Sequence, residues 1–155
     1  MKKRYGEIYV IDSVKDIVDA FTEIGEKYQD YRVVILRKNH GLFSIWNRVL
    51  DYVLDLRTIK NLKGKKRLVL TNQILQCIEV DDTTESVNEI PEVSNDVKPL
   101  TAKDVADYIA HEYNDGDVED IGVLAYLYDN TIVYDCIIDR IGVDEATKMV
   151  VVITL

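Results

Sequence analysis

The apolar positions of this chain change period several times, and each change marks an element. Residues 7–11 read as a short strand. Ser13 then has the spacing of a helix cap, with Asp16 three residues on as its reciprocal partner. Val14, Ile17, Val18, Phe21, Ile24 and Tyr28 follow at helical spacing. Residues 32–37 form an apolar run between two arginines, the pattern of a strand buried on both faces. Asn39, His40 and Gly41 predict a turn, and Leu42, Ile45, Trp46, Val49, Leu50, Val53 and Leu56 predict a second helix that frays near Asn61, ahead of Gly64. Residues 67–70 and 73–80 read as two further strands with Thr71-Asn72 as the bend. The order predicted over 1–80 is β-α-β-α-β-β, which implies parallel pairs joined by right-handed crossovers.

Residues 81–99 interrupt the pattern with six acids, one lysine, two prolines and no aromatic. Such a stretch has too little apolar surface to order itself, so it reads as a linker or loop. Beyond it, Thr101 and Asp104 repeat the capping-box spacing, and Ala102, Val105, Ala106, Ile109 and Tyr113 share a helical face. Residues 121–128 and 131–141 predict a hairpin about Asp129-Asn130, residues that tolerate positive φ. Residues 144–148 predict a turn, and 149–154 a last β-branched strand. The fold class expected is α+β, a mixed α/β chain in two units. These are 1–80, with a mixed sheet, and 101–155, an α-β-β-β unit, joined by an acidic linker at 81–100. No internal repeat is legible.

Composition adds a contrast of charge. The 155 residues are 47% hydrophobic and 30% charged, with a net charge of −9, a globular composition. Residues 1–80 carry 15 Lys and Arg against 10 Asp and Glu, while 81–155 carry 4 against 18. Such asymmetry between segments points to interaction. Cys77 and Cys136 lack the spacing of a zinc site or a disulfide framework and read as buried or half-buried thiols of a reducing cytosol. The basic start at 1–4 is followed by an apolar run too short for a signal-peptide core, and no run reaches the length of a membrane span. A cytoplasmic protein is expected, one that engages no membrane.

The segment 101–155 resembles a small acidic module of uncharacterised phage and mobile-element proteins. The resemblance rests on a capped helix (Thr101, Asp104, Val105, Ile109) and an acid-rich turn leading to a strand (Asp117, Val118, Val123). It continues with a strand that ends in Ile138 and Ile141 before Asp144 and Glu145, and closes with a Val150-x-Val152 strand. It covers about a third of the chain and carries no catalytic residue across. It implies a phage-like setting, the host cytoplasm, and an accessory role against host machinery.

Several groups of residues are candidates for chemistry. Asp12, Asn39, His40 and Thr71 stand just past predicted strand ends, with Lys38 beside them, where α/β sheets place ligands. An acid, a histidine and a lysine there suit phosphate-ester chemistry, although the same residues also serve as caps and turns. Asp115, Asp117, Glu119 and Asp120 are acidic enough for a hard cation, but Gly116 and Tyr126 break the spacing an EF-hand needs, so a solvated turn is expected. His111 has no second ligand near it in sequence and reads as a surface residue.

Arg57, Lys60, Lys63, Lys65, Lys66 and Arg67 form a basic run. It suits phosphates, yet it lacks interleaved aromatics and the chain is acidic, so nucleic acid is not the expected partner. A solvated helix end, or docking onto the acidic half of the same molecule or of a second copy, are the other readings. Finally, ten tyrosines against two phenylalanines is lopsided. If Val123, Ala125 and Leu127 face inward, Tyr126 and Tyr128 face outward among Asp129, Asp135 and Asp139, with Asp117 and Glu119 as further candidates, an acidic and aromatic surface of the kind that docks a basic groove; the other reading buries the opposite face of the sheet.

Three functions follow. The first is a non-enzymatic binder that covers a basic nucleic-acid-binding host protein, of anti-CRISPR or anti-restriction type. The second is a nucleotide- or phosphate-ester-binding enzyme at the strand ends. The third is a self-assembling structural protein, a homo-oligomer that pairs basic and acidic halves. No metal or cofactor is implied, and the binder is the first expectation.

Overall fold

Both helices begin where a hydroxyl residue stands three positions before an aspartate. Ser13 Oγ accepts from the Asp16 N–H and the Asp16 carboxylate accepts from the Ser13 N–H, which starts helix α1 (Val14–Lys27). Thr101 and Asp104 make the same reciprocal pair before helix α2 (Ala102–Asn114). Each box is followed by an i,i+4 ion pair of 3.2 Å, Lys15–Asp19 and Lys103–Asp107. The Asp19 carboxylate, by hydrogen bond and charge, raises the Lys15 ammonium above its ordinary pKa.

The computed structural model describes residues 2–3, 6–40, 46–60, 65–72, 98–114, 116, 118–126 and 133–155. Ahead of α1 lie strands β1 (Lys2–Lys3) and β2 (Gly6–Val10). Between the helices come β3 (Arg32–His40), β4 (Trp46–Tyr52), β5 (Asp55–Lys60) and β6 (Lys66–Thr71), and after α2 come β7 (Val118–Tyr126), β8 (Val133–Asp144) and β9 (Met149–Thr154). The fold is α+β, a mixed, curled sheet carrying two helices.

The sheet order is β4-β3-β9-β8-β7-β6-β5, with β2 beside the second part of β8. Its ends, β4 and β5, are joined by two residues. Val53 N–H still donates to Val33 of β3, and Leu54 N–H already donates to Thr71 of β6. β4 and β5 thus act as one bent strand, and strand pairing runs in a closed circuit. β8 bends likewise at the register shift between Ile138 and Arg140, pairing β7 before it and β9 after it. A single apolar cluster fills the concave side. Ile17, Phe21 and Ile24 of α1 and Val105 and Ile109 of α2 meet the inward residues of β3, β6, β7, β8 and β9.

The second helix predicted over residues 42–56 is corrected: the stretch from Trp46 forms β4 and β5. It has no capping box like those of α1 and α2. Its Val49 and Val53 fit a pleated strand as well as a helix, and β3 has a row of backbone groups to satisfy, which β4 pairs from Val34 to His40. The turn predicted at Asn39-His40 is corrected with it, since both lie inside β3 opposite Asn47 and Trp46. The order before α2 is therefore β-β-α-β-β-β-β among the described residues. The predicted strand 73–80 and linker 81–99 lie mostly or wholly outside them, and Lys98–Leu100 is extended coil. The predicted α-β-β-β order of the second part is present as α2-β7-β8-β9.

The parallel pairs also fall elsewhere than expected. They are β3 with β9 and β6 with β7, each joining a strand from before residue 80 to one from after 101. The strands of 1–80 and 101–155 therefore alternate in one sheet. This alternation reveals a repeat the sequence concealed. Exchanging α1 with α2, β3 with β7, β4–β5 with β8, and β6 with β9 leaves the pairing among these elements unchanged, β1 and β2 standing outside the exchange. Val33 stands opposite Val150 as Ile121 stands opposite Leu68. Val34 faces Tyr52 as Gly122 faces Ile137, and Leu56 faces Leu70 as Ile141 faces Val152. The topology is a doubled α-β-β-β unit in which each half lends its last strand to the other.

The two helices touch where this exchange requires it. A Cβ added at Gly25 of α1 would stand 2.6 Å from the Ala106 Cβ of α2, so Gly25 is held by the close approach of the helices rather than by a special φ. Gly25→Val is expected to lower stability by about 1–3 kcal/mol through overpacking, and Ala106→Gly in the same chain to restore part of the loss. The midpoint of urea unfolding of the single and double variants measures both.

Candidate functional site

The strand-end residues do not converge. Asp12 is exposed and follows β2, its N–H donating to the Asp16 carboxylate at 2.9 Å. Lys38, Asn39 and His40 lie along the outer part of β3, opposite Arg48, Asn47 and Trp46. β8 and β9 stand between β2 and β3, which separates their ends by about 14 Å at the usual strand spacing. Thr71 is fully buried at the end of β6, between β5 and β7. Among the described residues no group of three His, Cys, Asp or Glu side chains is placed to hold a metal ion. His111 is exposed on α2, as expected of a surface residue.

The basic run is spread over a hairpin rather than a helix end. Arg57 and Lys60 belong to β5 and Lys66 and Arg67 to β6, with Lys60 opposite Lys66. Lys65 is exposed just ahead of β6, and Lys63 lies outside the described residues. The cations meet acids of the same chain. Arg57 Nε lies 3.0 Å from Asp55, Lys66 Nζ 3.4 Å from Glu112 and Arg67 Nε 3.7 Å from Asp120. The last two acids come from beyond residue 101, so part of the charge contrast is used inside the fold. The Arg67 guanidinium lies over Gly122, whose missing side chain makes room for it.

The Lys66–Glu112 pair is the most enclosed of these, with side chains 19% and 17% exposed. Thr58 Oγ1 donates to Glu112 Oε1 at 3.1 Å and lies 2.9 Å from the Tyr108 hydroxyl. These four residues tie α2 to the β5–β6 hairpin.

The tyrosine surplus also has a packing role. Tyr9, Tyr28, Tyr31, Tyr108 and Tyr113, five of the ten, pack at the margin of the core. Two of the hydroxyls reach polar partners, Tyr28 to Glu145 at 3.0 Å and Tyr108 beside Thr58 at 2.9 Å. Tyr126 ends β7 opposite Val133, and Asp135 is opposite Leu124. The side chains of Tyr126 and Asp135, with Tyr128, Asp129 and Asp117, fall outside the described set. Further down β7 both faces are covered, with Val123 0% and Leu124 5% exposed. Asp139 is half-buried at the β8 bulge. Its carboxylate lies 3.1 Å from Arg140 Nε, and its carbonyl accepts from Ile11 N–H. Cys136 is half-buried against the core, and Cys77 is outside the described residues.

A pocket that the sequence did not suggest opens between the start of α1 and the start of β7, with a volume of about 370 Å³. Ile11, Val14, Ile17, Ile121, Ile137 and Ile138 line it together with the polar Ser13. Its rim carries Asp12, Glu119 and Asp120, all exposed. Ile137 and, across β8, Val10 are each 65% exposed. The signal in the sequence was the Ile137-Ile138 doublet, which puts one isoleucine on the outer side of a strand. No helix among the described residues is long and apolar enough to cross a membrane. No family model, curated protein or solved structure matches the chain.

Glu112→Ala is expected to destabilise the protein by about 1–3 kcal/mol, because it strips Lys66 and Thr58 of a half-buried partner. Asp19→Ala, at an exposed pair, is expected to change stability by less than about 0.5 kcal/mol. Thermal unfolding of the two variants at one salt concentration makes the comparison.

Proposed function

We propose that this protein is a non-enzymatic binder that docks a basic surface of another protein through its acidic side. The observation that carries this reading is the apolar and acidic surface about β8. Exposed Ile137 lines a pocket with exposed Asp12, Glu119 and Asp120, and exposed Val10 lies on the neighbouring strand opposite Arg140. An apolar centre with a charged rim is the anatomy of a protein interface, and large exposed aliphatic side chains grouped together favour a partner over solvent. Three of the six basic residues, Arg57, Lys66 and Arg67, are paired with Asp55, Glu112 and Asp120, and the net charge of −9 favours a cationic partner.

The partner class follows from this charge: a protein with a basic groove, such as one that ordinarily holds nucleic acid. The resemblance of residues 101–155 to phage modules supports an inhibitor of anti-restriction or anti-CRISPR type working in the host cytoplasm. Tyr126, Tyr128, Asp129 and Asp135 are further candidates for partner contact in this reading, on the sequence alone. Its salt dependence gives the test. The tagged chain, incubated with host lysate, is expected to retain a basic protein at low salt and release most of it at about 0.5 M salt, where the Debye length is only a few ångströms. Retention of no protein, or retention indifferent to salt, would refute the proposal.

A further inference from the structure

The doubled topology supplies an internal comparison for the pocket. In the second half, the chain leading into α2 lies against the start of β3. Val33 N–H donates to the Leu100 carbonyl at 3.0 Å, Leu100 N–H to Val53 at 2.9 Å and Ala102 N–H to Tyr31 at 2.7 Å. Thr101 and Arg32 form an antiparallel bridge, and Leu100 packs on the core.

The same exchange of halves carries Leu100 to Asp12, Val33 to Ile121, Val53 to Ile138 and Tyr31 to Glu119. There Ile11, packed on the core, donates its N–H to the Asp139 carbonyl of β8, and the next backbone groups turn to local carboxylates. Ile121 N–H donates to Asp120 Oδ1 at 2.8 Å, and Asp12 N–H donates to Asp16. Between the two segments lies the pocket. An aspartate occupies the position whose counterpart is an apolar plug, and a charged carboxylate does not enter an isoleucine-lined cavity without a partner. The place that a short extended segment closes in one half is open in the other.

We propose that this pocket binds an extended segment of a partner protein that presents a leucine-like side chain flanked by lysine or arginine. The proposal rests on the protein-binding reading above and names what the partner offers. The apolar side chain enters among Ile17, Ile121, Ile137 and Ile138, as Leu100 packs at the corresponding place. The flanking cations meet Asp12 and Glu119 at the rim, beside Asp120 that already faces Arg67, a charge complementarity that selects basic segments over acidic ones.

The test uses the full chain and a fluorescein-labelled peptide, Gly-Ser-Lys-Leu-Lys-Ser-Gly, with two controls: glutamates in place of the lysines, and serine in place of the leucine. In polarisation titrations the first peptide is expected to bind at least about tenfold more tightly than either control, a difference of ~1.4 kcal/mol. Ile137→Lys, at an exposed position that leaves the fold intact by circular dichroism, removes that binding. Glu119→Lys removes the preference over the glutamate peptide. Equal binding of the three peptides, no binding of the first, or unchanged binding by Ile137→Lys overturns the proposal. Capture of a basic host protein by wild type and by Ile137→Lys alike would leave the broader reading standing and this one refuted. Capture of no protein by wild type would refute both.

Discussion

The contact between α1 and α2 is the constraint on which the architecture depends. The inward side chains of both halves of the sheet reach a single core only if the helices are close enough to be shared between them. Gly25 against Ala106 sets that approach. A larger side chain at either place would push the helices apart and withdraw Phe21, Ile24, Val105 and Ile109 from the strands they cover. The bends at Val53–Leu54 and at the β8 bulge answer the same demand, turning the sheet about the helix pair so that every strand of the circuit presents one face to it.

The ends of α1 and α2 were legible because caps are local chemistry: a hydroxyl, an aspartate and a fixed spacing. β3 and β9 were legible because runs such as Val33-Val34-Ile35 and Val150-Val151-Val152 have few other uses. Residues 46–60 were not, because Val49, Val53 and Leu56 satisfy helical and strand periods alike, and what decided between them was the unmet backbone of β3, a tertiary fact. The repeat escaped notice for a related reason. Its two copies share the caps and the Lys15-Asp16 and Lys103-Asp104 steps, but elsewhere they preserve only burial and register. Gly122 stands where Val34 does, and Met149 where Arg67 does.

The candidate site was legible only in part. Charge contrast was evident from counting residues, but its use was not. Lys66 with Glu112 and Arg67 with Asp120 convert much of the apparent basic patch into internal cement between the halves. Half of the tyrosines seal the core margin, which lowers the weight of the aromatic count as a sign of an interface. Of the pocket the sequence offered only the Ile137-Ile138 doublet, since its walls at Ile17, Ile121 and Ile138 come from three separate elements. Among the described residues, acid and aliphatic side chains meet at the start of β7.

The parallel pairing of β3 with β9 has a consequence in time as well as in space. The groove beside β3 stays unfilled until a segment on the order of 100 residues later takes its place, and loops of that length close slowly. β6 waits in the same way for β7. Neither half has an edge it can finish alone, so a stable intermediate made of one half would expose a paired strand's open side to other chains. Unfolding of the described fold should accordingly be all-or-none, with the halves gaining and losing their order together.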